Sequence, residues 1–298
     1  MKKIMISGAS GFIGRNLVEY FSKKDYIIFS PTHSELSLED EKEVDSYFKN
    51  NDIDIIVHAA VKPYHRAVKE TENLLDINIR MHFNLVKQIE LKRAKKLFIT
   101  GTGSEYSIDN YKPNMTEEYF GEHIPKDEGT FSRYVCAKHI ENSNLPIYNL
   151  RIFGIFGKYE NYEIRFVSNA ICKLLYDMPI TLRQNRVFSY LYVDDFCDIL
   201  EKFFEAKPKH YTYNITPNET HSLLDIAHLV ADVAGKPHHP INVGKQGKGY
   251  EYSGLNKRLL TEFKDIKFTH IKDSVLRMIE YYKANLELVD KDKLLFDK

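Results

Sequence analysis

The chain has 298 residues, of which 43% are hydrophobic and 28% charged, a composition typical of a globular protein with a large core. Lysine plus arginine equals aspartate plus glutamate, 42 of each, and the zero formal net charge argues against a nucleic-acid binder. The sequence has no apolar run of bilayer length, no apparent signal peptide and only three scattered cysteines. It therefore predicts a cytoplasmic protein with no membrane partner, no disulfide and no metal site.

The first predicted element is a short strand that ends in a glycine-rich turn. An apolar run is followed by Gly8, Gly11 and Gly14 at the spacing G-x-x-G-x-x-G, and an amphipathic helix then begins. Such a turn seats a pyrophosphate on the helix N-terminus, where backbone N–H groups and the helix dipole face the phosphates. Gly8 permits the tight turn, Gly11 lets the backbone approach the phosphates, and Gly14 lets the helix pack closely on the strand. The stretch predicts dinucleotide binding, with a ligand-free βα turn as the alternative.

The end of the second predicted strand, residues 26–29, bears on cofactor preference. A carboxylate there would bind the ribose hydroxyls of adenosine and disfavour a 2′-phosphate. Residues 30–34 contain no acid, and the first one is Glu35. Polar hydroxyls, His33 and the nearby Arg15 suit a 2′-phosphate, so NADP(H) is favoured and NAD(H) stays possible.

The third predicted strand lies within residues 54–60, the most apolar run of the first half, and is expected at the centre of a parallel sheet. The small residues Ala59 and Ala60 at its end suit the close approach of a cofactor. His58, at the tip of the strand, is interpreted as a packed core residue, with a catalytic role as the alternative.

The following helix, predicted over residues 72–92, carries Asn78 on its apolar face. A buried asparagine needs a hydrogen-bond partner. Asn78 therefore either satisfies a backbone kink or supports an active site.

The fourth predicted strand, residues 96–100, runs into the hydroxyl-rich and glycine-bearing loop 101–106. Loops at the carboxyl ends of strands are where open α/β sheets bind ligands. Further on, Tyr134 and Lys138 are four residues apart and share one helix face. A neighbouring ammonium lowers the pKa of a phenol, although this spacing also occurs as an ordinary surface pair.

Taken in order, these motifs resemble the extended short-chain dehydrogenase/reductases, in the nucleotide-sugar epimerase/dehydratase branch. The resemblance covers nearly the whole chain and includes Thr102, four residues before Tyr106, where the family places its catalytic serine or threonine. The other matching segments are 8–14, 57–60, Asn78 with Asn84, Tyr134 with Lys138, 150–157, 192–195 and Asn256 with Lys257.

The resemblance implies an α/β fold, namely a Rossmann-like doubly wound parallel sheet with a smaller C-terminal α/β substrate-binding domain. Residues 1–155 would form the NAD(P)-binding domain, with 187–215 returning to it. Residues 156–186 and 216–298 would form the substrate-binding part.

The resemblance also implies the roles of the site residues. Tyr134 would exchange a proton with the sugar hydroxyl or ketone during hydride transfer, Thr102 would hydrogen-bond the same oxygen, and Lys138 would bond the nicotinamide ribose. The residues expected to hold the cofactor are Gly8, Gly11, Phe12, Ile13, Gly14, Arg15, His33, Ser37, Leu38, Ala59, Ala60, Asn78, Tyr134 and Lys138. The residues expected to hold the substrate are Ser104, Glu105, Arg165, Asn169, Arg183 and Arg186.

The sequence departs from the family pattern at several places. Gly154 replaces an asparagine that usually contacts the substrate phosphate, and Phe188 stands where an arginine is usual, with Arg186 two residues earlier. Pro146 follows soon after Lys138, which predicts a shortened helix. Because this helix often builds the family's dimer interface, a homodimer is possible but not necessarily the usual one.

The sequence favours a reductase that converts a nucleotide-linked 4-keto sugar to its alcohol with NADPH. Residues 34–38 resemble a pattern of such reductases, and the Asp-Glu pair that follows the catalytic threonine in 4,6-dehydratases is absent after Thr102. Glu105 could still serve as an acid or base, so a dehydratase stays open, as does a 4-epimerase with retained NAD. A non-catalytic dinucleotide sensor is a further alternative.

Overall fold

A computed structural model describes residues 1–62 and 73–295, so 63–72 and 296–298 lie outside the described residues. The helix predicted over 72–92 therefore has its first residue, Glu72, outside the described part of the chain. The strands are β1 (Lys2–Ser7), β2 (Tyr26–Phe29), β3 (Ile55–His58), β4 (Lys96–Thr102), β5 (Ile147–Ile152), β6 (Gly154–Phe156), β7 (Ile180–Phe188), β8 (Tyr190–Tyr192), β9 (Thr212–Ile215), β10 (His221–Ser222) and β11 (Ile241–Tyr252). The helices are α1 (Phe12–Phe21), α2 (Glu41–Asn50), α3 (Leu74–Glu90), α4 (Glu128–Asn142), α5 (Phe166–Leu175), α6 (Val193–Glu205), α7 (Leu223–Val233), α8 (Lys257–Glu262) and α9 (Ile271–Ala284).

A six-stranded sheet forms the centre of the molecule, in the order β2-β1-β3-β4-β5-β9. All of its strand pairs are parallel, and β3 and β5 are buried along their whole length, as expected for strands covered on both faces. The predicted fold class, an α/β fold around a parallel Rossmann-like sheet, is confirmed.

Helices cover both faces of this sheet. Helices α1 and α6 pack on one face through a core that includes Phe21 and Phe203. Helices α2, α3 and α4 pack on the other face through residues such as Val44, Leu85 and Ile140. The two layers leave the carboxyl ends of the strands open along one edge of the sheet.

A second apolar core lies in the C-terminal half. Helices α5, α7 and α9 form it beside β7, which pairs with the antiparallel β10 and the parallel β11. The sequence-based division puts residues 216–298 in the substrate-binding part. Leu259 of α8 and Phe263, which follows this helix, nevertheless pack on the core of the six-stranded sheet. None of the helices in residues 1–62 and 73–295 combines the length and apolar character needed to cross a membrane.

The N-terminus of α1 differs from those of the next three helices. Side chains of Asp40, Asn73 and Asp127 accept backbone N–H bonds at the starts of α2, α3 and α4. Helix α1 begins after Gly11 with no side-chain cap bond and no acidic residue in its first turn. Its first N–H groups are therefore left to an external acceptor, which suits an anion.

Candidate active site

A cavity of about 1010 Å³ runs along the carboxyl edge of the six-stranded sheet. One end is lined by the glycine turn and by the residues that follow β2 and β3. The other end is lined by the loop after β4, by α4, and by side chains from the C-terminal half. A single cavity therefore joins the predicted dinucleotide site to the predicted substrate site.

The glycine turn fits the pyrophosphate of a dinucleotide. Gly8 has a φ of +69°, and a Cβ on Gly14 would lie 2.1 Å from the carbonyl oxygen of Gly8, so helix α1 sits directly against the turn. Gly8, Gly11, Phe12, Ile13 and Gly14 all line the cavity. The uncapped start of α1 and these side-chain-free positions together form a cradle of the kind that binds diphosphate.

His58 supports this cradle from behind. Its Nδ1 lies 2.8 Å from the Ser7 hydroxyl, and Ser7 Oγ accepts a longer bond from the backbone N–H of Ala60. Burial, with a smaller contribution from Arg133, lowers the pKa of His58 to about 4. The ring is thus neutral at physiological pH and fixes the end of β3, where Ala59 and Ala60 line the cavity.

The adenosine end of the cavity contains two of the four cofactor residues predicted there, His33 and Leu38. Ser30, Pro31, Thr32 and His33 line it, followed by Leu36, Leu38 and Glu39. Glu39 is a carboxylate that the sequence did not single out. Two predicted cofactor residues lie elsewhere: Ser37 donates its backbone N–H to Glu43, and the Arg15 guanidinium stacks over the Tyr159 ring at 3.7 Å.

Asn78 is a support for the backbone after β3 and does not line the main cavity. Its side-chain oxygen accepts the backbone N–H of Lys62, and its amide donates to the carbonyls of Lys62 and Leu74. Asn78 thus satisfies the backbone here, and its contact with the cofactor stays a prediction.

Three hydroxyl groups meet at the substrate end. Thr102 Oγ1 lies 3.1 Å from Ser104 Oγ and 3.3 Å from the Tyr252 hydroxyl, and all three residues line the cavity. Tyr252 comes from the end of β11, 150 residues beyond Thr102 in the chain, which explains why local sequence patterns did not find it.

Glu105 is part of a buried ion pair with Arg151. Its carboxylate accepts bonds from Arg151 Nε at 2.8 Å, from the Asn149 amide at 2.8 Å and from the Thr102 N–H at 2.9 Å. Glu105 is 1% exposed and Arg151 is fully buried. These three bonds engage the Glu105 carboxylate inside the protein, and its contact with the substrate stays a prediction.

Helix α4 presents Arg133, rather than Tyr134, to the cavity. Arg133 lines the cavity and donates to the carbonyl of Thr100 at 3.2 Å. Tyr134 packs against Phe120, with ring centroids 5.1 Å apart, and the ammonium of Lys138 lies 3.5 Å from Glu141.

A Cβ built on Gly121 would lie 2.5 Å from Lys138 Nζ and 3.9 Å from the Tyr134 hydroxyl. The two predicted catalytic residues thus lie close together, as their spacing requires, beside Gly121, and neither is among the described residues that line the cavity.

The predicted substrate residues of the C-terminal half also divide into two groups. Arg165 lines the cavity, as do Glu160 and Tyr190, which the sequence reading missed. Asn169 instead donates its amide to the carbonyl of Tyr162. Arg186 donates to the Tyr250 hydroxyl, and Arg183 is exposed on β7; both lie outside the cavity lining in the described chain.

Comparison with known proteins identifies the family. Residues 4–216 match the family model described as the NAD dependent epimerase/dehydratase family. The chain belongs to this family. The predicted resemblance to extended short-chain dehydrogenase/reductases is confirmed, and so is the prediction of an NAD(P)-dependent enzyme of that type.

Relatives of this epimerase/dehydratase family member span its whole length. It is 20% identical to GDP-L-colitose synthase of Yersinia pseudotuberculosis, covering 94% of this chain and 97% of that protein. The GDP-mannoheptose C4 reductase of Campylobacter jejuni, solved with NADP bound, superposes with a TM-score of 0.78 at 19% identity, covering 95% and 98%. The dTDP-glucose 4,6-dehydratase of Bacillus anthracis, solved with NAD, superposes with a TM-score of 0.80 at 18% identity, covering 96% and 98%. Both nicotinamide cofactors are therefore compatible with the family.

Proposed function

We propose that this protein is an NADPH-dependent reductase that converts the keto group of a nucleotide-linked 4-keto sugar to an alcohol. The observation that carries the proposal is the cluster of Thr102, Ser104 and Tyr252 hydroxyls in the same cavity as the glycine cradle. Hydroxyl groups at this place can bind and protonate a carbonyl oxygen. A reduced nicotinamide, when bound, supplies the hydride for the carbonyl carbon.

The environment of Glu105 supports a reductase over a dehydratase. A 4,6-elimination needs a carboxylate or similar group that removes and returns a proton at the sugar. Gly103 and Ser104 follow Thr102, and the next acid along the chain, Glu105, is held by Arg151 and Asn149. This acid is thus poorly suited to proton transfer.

The residues directly after β2 support NADPH over NADH, although the Glu39 carboxylate also lines this end of the cavity. The lining residues directly after β2 are Ser30, Pro31, Thr32 and His33, so two hydroxyls and an imidazole face the region expected for the 2′-position. Glu35, the first acid of this loop, is engaged within the loop, because its carboxylate accepts hydrogen bonds from the Thr32 hydroxyl and the Thr32 N–H.

The proposal is tested with purified protein and a panel of GDP-, dTDP- and UDP-linked 4-keto-6-deoxyhexoses. We expect one nucleotide class to be reduced with stoichiometric oxidation of NADPH, and NADPH to bind at least roughly tenfold more tightly than NADH, equivalent to about 1.4 kcal/mol. Product structure by NMR and cofactor affinity by calorimetry are the measurements. Interconversion of two sugars by tightly retained NAD, without net cofactor consumption, would instead identify an epimerase.

A further inference from the structure

Glu160 is an acid at the substrate end of the cavity for which neither the sequence motifs nor the proposed reaction accounts. It lies in the turn after β6, lines the cavity and is 6% exposed. Tyr190 of β8, and Phe166 and Val167 at the start of α5, line the same end of the cavity. A carboxyl group in such a wall loses most of its contact with water, which disfavours its charged form.

The partners of Glu160 do not compensate a negative charge. The Ser168 hydroxyl donates to Glu160 Oε2 at 2.5 Å, and the Ser168 backbone N–H also favours the charged form. Within residues 1–62 and 73–295, no lysine or arginine forms an ion pair with Glu160, and Arg165 acts on it only through space. A buried carboxylate without a cation in contact is costly, so the group keeps its proton. Burial accordingly raises the pKa of Glu160 to about 8.

The other titratable groups that face Glu160 are one cation and three uncharged side chains. These groups are Arg165 before α5, Cys172 within α5, Tyr190 on β8 and Tyr282 on α9. Burial raises the pKa of the thiol and of both phenols, so these three stay neutral. Arg165 and the N-terminal end of α5 favour the ionised carboxylate, but burial opposes them and has the larger effect on the pKa of Glu160.

Arg165 is left available to an anion from outside the protein. Its guanidinium lines the cavity and makes no hydrogen bond or ion pair with the residues that the structure describes. An ionised Glu160 would attract this guanidinium and compete with such an anion. The neutral carboxyl leaves Arg165 free and offers its own O–H as a donor. A cation and an O–H donor in one wall of a cavity suit a phosphate oxygen.

We propose that the uncharged carboxyl of Glu160 is a substrate-binding group that donates a hydrogen bond to a phosphate oxygen of the nucleotide sugar; this inference rests on the function proposed above. A carboxylate at this place would repel the phosphate, so binding requires the proton. Above about pH 8, where Glu160 of the free protein is ionised, binding of the nucleotide sugar takes up one proton from solvent. This proton stays on Glu160 and is separate from the one that Tyr134 is predicted to transfer.

The test measures binding of GDP-mannose, UDP-glucose and dTDP-glucose, with NADPH present so that the sugars are not oxidised. For the wild type, the Kd of the preferred nucleotide sugar should rise roughly tenfold between pH 7 and pH 9, as the protonated fraction of Glu160 falls. Glu160→Gln keeps an N–H donor that does not titrate, so its Kd should stay within about threefold of the wild-type value at pH 7 and change less with pH. Glu160→Leu has no donor and should bind roughly tenfold more weakly at pH 7.

A second readout counts the protons directly. Calorimetric titrations at pH 8.5, in two buffers with different ionisation enthalpies, give the proton uptake on binding. The wild type should take up roughly 0.8 of a proton, and so should the control Glu163→Gln, whose native carboxylate pairs with Lys293. Glu160→Gln should take up close to none. Melting temperatures well above the assay temperature show that the variants are folded.

The outcomes separate the two proposals. If the wild type and Glu160→Gln lose affinity in parallel as the pH rises and take up equal numbers of protons, the role of Glu160 is wrong, whether or not the protein reduces keto sugars. Tighter binding by Glu160→Leu than by the wild type would also overturn it. A wild type with proton-coupled binding that reduces no member of the keto-sugar panel retains the role of Glu160 and contradicts the reductase. A wild type that binds no nucleotide sugar contradicts both.

Discussion

A methyl group at position 14 would collide with the turn on which the dinucleotide site depends. The built Cβ lies 2.1 Å from Gly8 O and 2.6 Å from Gly8 C, both backbone atoms that cannot swing aside. Gly14→Ala must therefore push α1 away from β1. We expect it to destabilise the protein by about 1–3 kcal/mol, as overpacking does, and to abolish NADPH binding. Thermal unfolding and NADPH fluorescence titration measure the two effects.

Two other glycines serve as controls for this change. The built Cβ of Gly11 and that of Gly244 each lie 3.3 Å from a backbone oxygen, so Gly11→Ala and Gly244→Ala introduce similar crowding. Gly11 lines the cavity at the start of α1, whereas Gly244 lies on β11. Gly11→Ala should weaken NADPH binding with little loss of stability, and Gly244→Ala should leave binding unchanged. Equal binding by all three variants would contradict the pyrophosphate cradle.

Among the helices and strands, α4 shows where sequence reasoning reached its limit. The four-residue spacing of Tyr134 and Lys138 correctly put them on one helix face. Which face turns toward the cavity depends on the packing of the helix, and α4 carries apolar residues around most of its circumference, including Phe131, Cys136 and Ile140. No single apolar stripe fixes its rotation, so the sequence pattern could not indicate that Arg133 would point inward.

The polar residues of β5 are a sequence feature that could have predicted the buried ion pair. Asn149 and Arg151 are two positions apart in an otherwise apolar strand and therefore point to the same side of the sheet. Polar side chains in a fully buried strand must find partners, and Glu105 in the loop after β4 is such a partner. By contrast, the glycine turn and the parallel strands follow from local patterns, and these features were predicted correctly.

The buried pair of Arg151 and Glu105 joins β4 and β5, and removing one partner should be costly. Arg151→Leu leaves a carboxylate 1% exposed without its cation. We expect a loss of about 3–5 kcal/mol in the free energy of unfolding, the usual penalty for an uncompensated buried charge. Denaturant unfolding measures it.

The ion pair of Lys126 and Asp109, 3.1 Å apart and with both side chains exposed, provides the comparison. Lys126→Leu should cost at most about 1 kcal/mol through that pair. The double change Arg151→Leu with Glu105→Leu should be more stable than Arg151→Leu alone, because it removes the stranded charge. If Arg151→Leu were as stable as the wild type, the pair of Arg151 and Glu105 would not stabilise the contact between β5 and the loop after β4.

At the scale of the whole molecule, the two apolar cores meet around the cavity. The glycine turn belongs to the six-stranded sheet, whereas Phe166 and Val167 come from α5 in the second core. Glu160 lies between the cavity and α5, is 6% exposed and accepts the Ser168 hydroxyl at 2.5 Å. Burial raises the pKa of this carboxyl from 4.5 to about 8, against the smaller lowering effects of Ser168 and Arg165. The folded protein therefore holds a proton on Glu160 at neutral pH.

This bound proton makes the stability of the whole molecule depend on pH. The folded pKa of Glu160 lies above the unfolded value, so its contribution is fully present below about pH 4.5 and is lost as the pH rises through about 8. Glu160→Gln keeps an acceptor for Ser168 but has no proton to lose. We expect its stability relative to the wild type to rise between pH 5 and 8, at most on the order of 1 kcal/mol per pH unit, and to level off above that window. The measurement is the free energy of unfolding in urea across the pH range.

As a control, Glu163→Gln changes a nearby carboxylate that pairs with Lys293, and it should give no such rise. A constant difference between Glu160→Gln and the wild type across the range would mean that Glu160 is ionised in the folded protein.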